Sequence, residues 1–178
     1  MAQGWNRATR CSAALAGCIA ASGACGDPTI DSVIDSLGPE RGGVPQGPTH
    51  RPGQPCVTCH QSAGPGEPSF SLAGTVYQDD AELLPLDGAS IELADAEGRV
   101  FSTRTNCVGN FYVEADEWQP TFPVWVQVRL GDLVADMKTP IYRERSCATC
   151  HGAIPSPELT LPVYLSEDPL GLPVEDCR

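Results

Sequence analysis

Hydrophobic and polar residues alternate with a period of two over much of the chain after Ser69. Such alternation predicts β-strands that are buried on one face. The predicted strands cover residues 70–72, 75–77, 89–93, 100–105, 111–114 and 124–130, with 133–137 and 159–165 as further candidates. Glycine, asparagine and aspartate mark the turns between them. The pattern predicts a mainly β fold, an antiparallel sandwich of about seven strands.

Before these strands, apolar residues recur at helical spacing at Ile30, Val33, Ile34 and Leu37. This spacing predicts a short helix, with Thr29 as its N-cap and Gly38 as its stop. Glycine and proline then dominate residues 38–55, which predicts irregular chain. Such a segment suits a tether, or a loop that wraps around a bound group.

The 178 residues carry a formal net charge of −12, which is compatible with one domain and its flanking segments. An acidic surface repels phosphate backbones, so nucleic-acid binding is excluded. The simplest role of this charge is solubility. The alternative is attraction to a basic patch on a partner protein.

The N-terminus is typical of an export signal. Residues 1–10 carry arginines and no acid, and residues 11–24 are uncharged, small and apolar. The stretch is too short to span a membrane. It resembles a bacterial lipoprotein signal, which implies acylation of Cys25, with Cys18 as the rival position. We therefore predict a signal peptide over 1–24 and an exported chain, lipid-anchored to the membrane of a bacterial cell envelope.

Most of the nine cysteines fall into groups. The leader contains Cys11, Cys18 and Cys25, and two short motifs contain Cys56, Cys59, Cys147 and Cys150. Cys107 and Cys177 remain. Two remaining thiols in an oxidising compartment suggest a disulfide, although sequence does not show whether they are close together.

The two motifs read Cys56-Val-Thr-Cys59-His60 and Cys147-Ala-Thr-Cys150-His151. This string is the attachment site of c-type haem, where two thiols bind the vinyl groups and the histidine binds the iron. Two copies in a chain with three histidines favour two covalently bound haem c groups. One zinc site made from both motifs, a redox-active pair and plain disulfides are the alternatives.

The sixth iron ligands are the open question at both motifs. The candidates are His50, which lies shortly before the first motif, and Met137, which lies shortly before the second. A surface role for His50 and a core role for Met137 are the alternatives. Ligation by both would give a bis-histidine first haem and a His/Met second haem of higher potential.

Residues 73–113 resemble a known protein family. The resemblance rests on Gly74-Thr-Val76-Tyr77, Pro85-Leu-Asp-Gly88-Ala-Ser-Ile91-Glu-Leu93, Gly98, Thr103-Arg-Thr-Asn106 and Gly109-Asn-Phe111-Tyr-Val113. These residues are similar to the carboxypeptidase regulatory-like domain, a transthyretin-like sandwich. The resemblance implies a scaffold without catalytic residues, with Val76, Ile91, Leu93, Phe111 and Val113 pointing inward. The chain departs from the family at Asn106, where aspartate is more usual, and at Cys107.

The predicted organisation is a signal peptide (1–24), a linker with the first haem segment (25–68), the β-sandwich (69–138) and the second haem segment with a tail (139–178). The chain resembles a dihaem c-type cytochrome. That implies an electron carrier between redox partner proteins, with no small-molecule substrate. A haem enzyme or small-ligand sensor with one open iron is the alternative. A non-redox surface module with structural cysteines is a further one.

Overall fold

The computed structural model describes residues 27–40, 44, 46–80, 82–152, 160–174 and 176–177. The signal peptide predicted over 1–24 and the acylation predicted at Cys25, or at Cys18, lie outside the described residues. Within these ranges, no helix is both long and apolar enough to cross a membrane.

Eight strands dominate the described part of the chain. They are β1 (Phe70–Thr75), β2 (Tyr77–Asp79), β3 (Ser90–Ala94), β4 (Val100–Arg104), β5 (Asn110–Glu114), β6 (Trp125–Leu130), β7 (Leu133–Asp136) and β8 (Tyr164–Ser166). The helices are α1 (Pro28–Ser36) and α2 (Cys56–Cys59), and a 3-10 turn covers Cys147–Thr149. The prediction of a mainly β fold with antiparallel sheets is confirmed.

The strands form two antiparallel sheets and one parallel pair. β1 pairs with β5, and the larger sheet has the order β4-β3-β6-β7. The parallel pair joins β2 to β8, and it departs from the all-antiparallel expectation. The strand predicted over 159–165 is thus shorter and later, at Tyr164–Ser166. Thr160 pairs with the second motif instead of β2, because its N–H donates to Cys150 O at 2.9 Å.

Residues from both antiparallel sheets share one hydrophobic core. The five residues expected to point inward, Val76, Ile91, Leu93, Phe111 and Val113, are all at most 2% exposed. That part of the prediction is confirmed. Alternate residues of β3 and β5 supply the core because successive side chains of a strand face opposite ways.

A bulge between Phe70 and Leu72 breaks the alternation in β1. The extra residue of a bulge re-aims the side chains on either side of it. Leu72 therefore packs in the core between the sheets, while Phe70 joins a second cluster with Val57 and Ala73. β1 is buried on both faces as a result, and the second face is the one that contacts α2.

The N-cap of α1 lies two residues earlier than expected. Asp27, not Thr29, is the N-cap, because the Asp27 carboxylate accepts the Thr29 N–H at 2.9 Å. Pro28 occupies the first helical position, where a missing N–H costs nothing. The helix ends before Gly38, whose φ of +73° suits glycine, so the predicted stop is confirmed.

Asp95 closes the turn between β3 and β4. Burial on its own raises the pKa of Asp95, but backbone N–H groups of Thr121, Arg99 and Glu97 donate to its carboxylate. Arg99 also pairs with it at 2.7 Å. These donors outweigh burial and hold the pKa of Asp95 below its usual range.

The C-terminal segment is fixed to the sheets rather than extended as a tail. The Gln78 side chain accepts the Leu172 N–H at 3.1 Å and donates to Leu172 O at 3.2 Å. Further along, Cys177 forms a disulfide with Cys107, with 5.7 Å between their Cα atoms. The bridge joins positions 70 residues apart in sequence.

Candidate cofactor site

The first motif forms a single helical turn, α2, with its histidine immediately after it. The His60 N–H donates to Cys56 O at 3.0 Å, which closes this turn. Residues three positions apart lie on one side of a helical turn, so Cys56 and Cys59 share a side. The chain therefore presents two thiols and an imidazole together.

Three contacts fix the His60 ring. Its Nδ1 donates to Pro68 O at 2.8 Å, and Phe70 stacks on it with 4.2 Å between ring centroids. The backbone of Gly66 lies against the ring, since a Cβ at Gly66 would sit 3.1 Å from three ring atoms. Because a carbonyl can only accept, Nδ1 carries the proton and Nε2 keeps its lone pair for a ligand.

The His50 ring lies close to the His60 ring. The two ring centroids are 5.8 Å apart, with 44° between the ring planes. The Nδ1 of His50 also donates to a backbone carbonyl, that of Gly47, so its Nε2 is the nitrogen left for a ligand. A metal ion bound by two imidazoles at about 2 Å each would separate their centroids by roughly 6 Å. The observed spacing fits one ion held between the two rings.

A cavity of about 510 Å³ lies beside this pair. That volume is within the range of about 300–1,000 Å³ that is usual for cofactor and small-molecule sites. His50, His60, Cys56 and Cys59 all line it. Its aromatic wall consists of Phe70, Phe111 and Tyr112, with Phe70 and Tyr112 stacked at 4.8 Å.

The loop that carries His50 is docked onto the fold. The Gly53 N–H donates to Thr75 Oγ1 of β1 at 2.8 Å. Within the loop, Arg51 forms an ion pair with Glu40 at 3.0 Å and donates to Gly38 O at 3.0 Å. Of the two readings of residues 38–55, the described part of this segment supports a wrapped loop. Arg51 also lines the cavity and brings a positive charge near Cys59.

The second motif forms a 3-10 turn and leaves Cys150 exposed. The Nδ1 of His151 donates to Leu161 O at 2.7 Å, and Thr160 Oγ1 lies 3.0 Å from the same nitrogen. Its Nε2 is therefore also available to a metal. Cys147 packs on β1 so closely that a Cβ at Gly74 would lie 2.7 Å from its Sγ.

The two motifs lie side by side on β1. The Val57 N–H donates to Ser146 Oγ at 3.2 Å, which joins one motif to the residue preceding the other. The Ala73 N–H of β1 donates to Arg145 O at 2.9 Å. Both motifs therefore pack against the same strand.

The free thiols closest to this contact are held in their neutral form. Burial raises the pKa of Cys56 to about 11. Burial raises the pKa of Cys147 to about 12, and repulsion from the thiolate that Cys56 forms at high pH adds to the effect of burial. Both thiols stay protonated at neutral pH because a thiolate is poorly solvated there.

Met137 lies next to the larger sheet. It follows β7 on the larger sheet, where its N–H donates to Val126 O at 2.9 Å, whereas the second motif packs on β1 of the smaller sheet. Its role as an iron ligand stays a prediction.

Within the described ranges, no three His, Cys, Asp or Glu side chains converge to form a ready-made site for a bare metal ion. Comparisons with protein families, with curated proteins and with solved structures found no match. The resemblance to the carboxypeptidase regulatory-like domain rests on the residues quoted above and stays a prediction.

Sequence reasoning missed the parts of this site that depend on tertiary contacts. Phe70 falls in a predicted strand, and the bulge that brings it to the motif leaves no clear signal in the sequence. Asn106 was noted only as a departure from a family pattern. Its side chain donates to Pro48 O at 2.7 Å, in the loop that carries His50.

Proposed function

We propose that the chain is an exported dihaem c-type cytochrome that relays electrons between redox partner proteins. The observation that carries the proposal is the pairing of His50 with His60, at 5.8 Å between centroids, beside the thiols of Cys56 and Cys59. A cavity of about 510 Å³ with aromatic walls is consistent with a bulky planar cofactor. A single zinc ion would need no such space.

Each residue of the first site has a distinct role in this proposal. Cys56 and Cys59 would hold the haem covalently, and His60 and His50 would both bind its iron. The carbonyls of Pro68 and Gly47 orient the two imidazoles, as outer-shell acceptors commonly do for ligating histidines. When bound, the haem supplies an iron that gains or loses one electron.

The second site follows the same plan through Cys147, Cys150 and His151. The Leu161 carbonyl fixes the His151 ring as the Pro68 carbonyl fixes that of His60. The hydrogen bond between Val57 and Ser146 keeps the two motifs adjacent. Adjacent redox sites are what a relay within one chain requires.

The proposed location is outside the cytoplasm. A disulfide between Cys107 and Cys177 suits an oxidising compartment, because cytosolic thiols are kept reduced. We propose that an N-terminal lipid on Cys25 tethers the chain to the membrane. The shared core of the two antiparallel sheets supports a sandwich scaffold of the carboxypeptidase regulatory-like kind, which positions the haem segments without supplying chemistry.

Two measurements test the proposal directly. After expression with c-type haem maturation, the intact mass should increase by two haem groups, and the reduced protein should show sharp α-bands. His50→Ala should open the iron of the first haem to carbon monoxide. Gln46→Ala changes an exposed residue of the same cavity and should not. A colourless protein of unmodified mass would refute the proposal and favour the non-redox surface module with structural cysteines.

A haem enzyme or small-ligand sensor is the second candidate. The observation that favours it is the position of Met137 next to the larger sheet, whereas the second motif packs on β1 of the smaller sheet. In this case the second iron has an open sixth position, and the wild-type chain binds carbon monoxide at one haem of two. If carbon monoxide leaves the wild-type spectrum unchanged, both irons are six-coordinate and electron transfer is the function.

A further inference from the structure

The loop that carries His50 is held by two asparagines from the turn that leads into β5. Asn106 Nδ2 donates to Pro48 O at 2.7 Å. Asn110 Nδ2 donates to His50 O at 3.1 Å and to Pro48 O at 3.3 Å. These acceptors are the backbone of His50 itself and of a residue just before it. The contacts therefore fix the position from which the His50 ring extends.

The side chains of Asn106 and Asn110 are themselves held by hydrogen bonds within the β-fold. Asn110 is 6% exposed, and its Oδ1 accepts the Thr75 hydroxyl at 2.7 Å across the β1–β5 pair. The same hydroxyl accepts the Gly53 N–H at 2.8 Å, which is a second link to the loop. Asn106 Oδ1 accepts the N–H groups of Val108 and Asn110, at 3.1 and 3.0 Å. Each side chain thus uses its oxygen within the β-fold and its nitrogen on the loop.

We propose that Asn106 and Asn110 are positioning residues that hold His50 over His60 as the sixth ligand of the first haem. The inference rests on the proposed function. The amide nitrogen is essential to it, because a carbonyl acceptor needs a donor and an aspartate carboxylate has none. Aspartate at either position keeps the oxygen and the size of the side chain but removes the contact with the loop.

The test is the apparent affinity of the reduced full-length holoprotein for carbon monoxide, in four variants. Asn106→Asp keeps the oxygen that closes the turn and loses the donor. Asn106→Asp with Asn110→Asp loses both donors. His50→Ala sets the upper limit. Gln119→Glu is the matched control, because it makes the same change of amide to acid on an exposed side chain.

Carbon monoxide binds the first haem only while His50 is dissociated, so the apparent affinity follows the dissociated fraction. One hydrogen bond contributes a net factor of about five. We expect about a fivefold gain in affinity for Asn106→Asp, which loses one hydrogen bond to the loop, and about a hundredfold gain for the double variant, which loses three. Gln119→Glu should match the wild type. Intact mass and the urea midpoint of each variant confirm haem attachment and folding.

The outcomes separate this inference from the proposed function. If His50→Ala gains carbon monoxide binding while Asn106→Asp stays within twofold of wild type, the positioning role is wrong and the dihaem proposal stands. If His50→Ala has no effect on a dihaem protein, His50 is not the ligand and the inference fails. If no haem is attached, the proposed function fails first. Asn106 is partly exposed, so the Asn106→Asp variant should fold. It therefore tests the positioning role even if the double variant does not fold.

Discussion

The disulfide between Cys107 and Cys177 provides the most direct test of how the C-terminal segment is held. The perturbation is replacement of both cysteines by serine. β8 pairs with β2 and Gln78 holds Leu172, so these other contacts keep the segment docked after the bridge is removed. The main effect should therefore be on the unfolded chain, which regains the freedom of a long loop.

The size of this effect follows from the sequence separation of 70 residues. Closing a loop of this length removes on the order of 15 cal/mol/K of entropy from the unfolded chain. At 25 °C that corresponds to about 4 kcal/mol of the free energy of unfolding. For a domain of this size, the melting temperature should fall by on the order of 10 °C.

The assay is urea unfolding at pH 7, followed by far-ultraviolet circular dichroism, with and without a thiol reductant. Reductant should move the wild-type midpoint to that of the Cys107→Ser, Cys177→Ser variant. It should leave the variant itself unchanged, which makes the variant its own control. Equal free energies of unfolding for the two proteins, within about 1 kcal/mol and without reductant, would refute the reasoning.

Three other substitutions test the packing around the motifs and the turn at Asp95. Gly74→Ala places a Cβ 2.7 Å from Cys147 Sγ, so the second motif must shift, at a cost of about 1–3 kcal/mol in the urea-derived free energy of unfolding. Ser146→Ala leaves the buried Val57 N–H without its acceptor, which should cost about 1–3 kcal/mol and speed hydrogen exchange at that amide, whereas Ser146→Thr should preserve both. Because folding lowers the pKa of Asp95, its carboxylate stabilises the fold at any pH above its pKa in the unfolded chain. This stabilisation is lost as the pH falls through the pKa of Asp95 in the folded chain. Asp95→Asn should thus lower the urea midpoint at pH 7 and make little difference at pH 2; equal losses at both would contradict it.

Local patterns were enough to predict most of the fold. Ile91 and Leu93 alternate with exposed or half-buried neighbours because β3 has the core on one side only. β1 is different, since all of its residues are buried and a bulge lies after Phe70. A strand that is buried on both faces shows no alternation of hydrophobic and polar residues, and a bulge has no fixed sequence signature. The boundaries of β1 and the direction in which Phe70 points therefore needed the structure.

The candidate site also has one part that the sequence predicts and another that only the structure shows. The first motif is contiguous in sequence, from Cys56 through Cys59 to His60, so it can be recognised without a structure. The position of His50 depends on hydrogen bonds from Asn110, which is about 60 residues away in the chain. No local rule describes such a contact. The sequence signals for His50 are the scarcity of histidine and its position shortly before the first motif, and they give a candidate without a geometry.

β1 is the element through which the scaffold and both motifs are coupled. Its inner face belongs to the core through Leu72, and its outer face contacts Val57 of the first motif. Gly74, in the same strand, contacts Cys147 of the second. A residue at this strand cannot move without disturbing one motif or the other, because each face is already packed. The short, ordinary-looking strand that sequence patterns describe least well is thus the one that sets the distance between the two motifs.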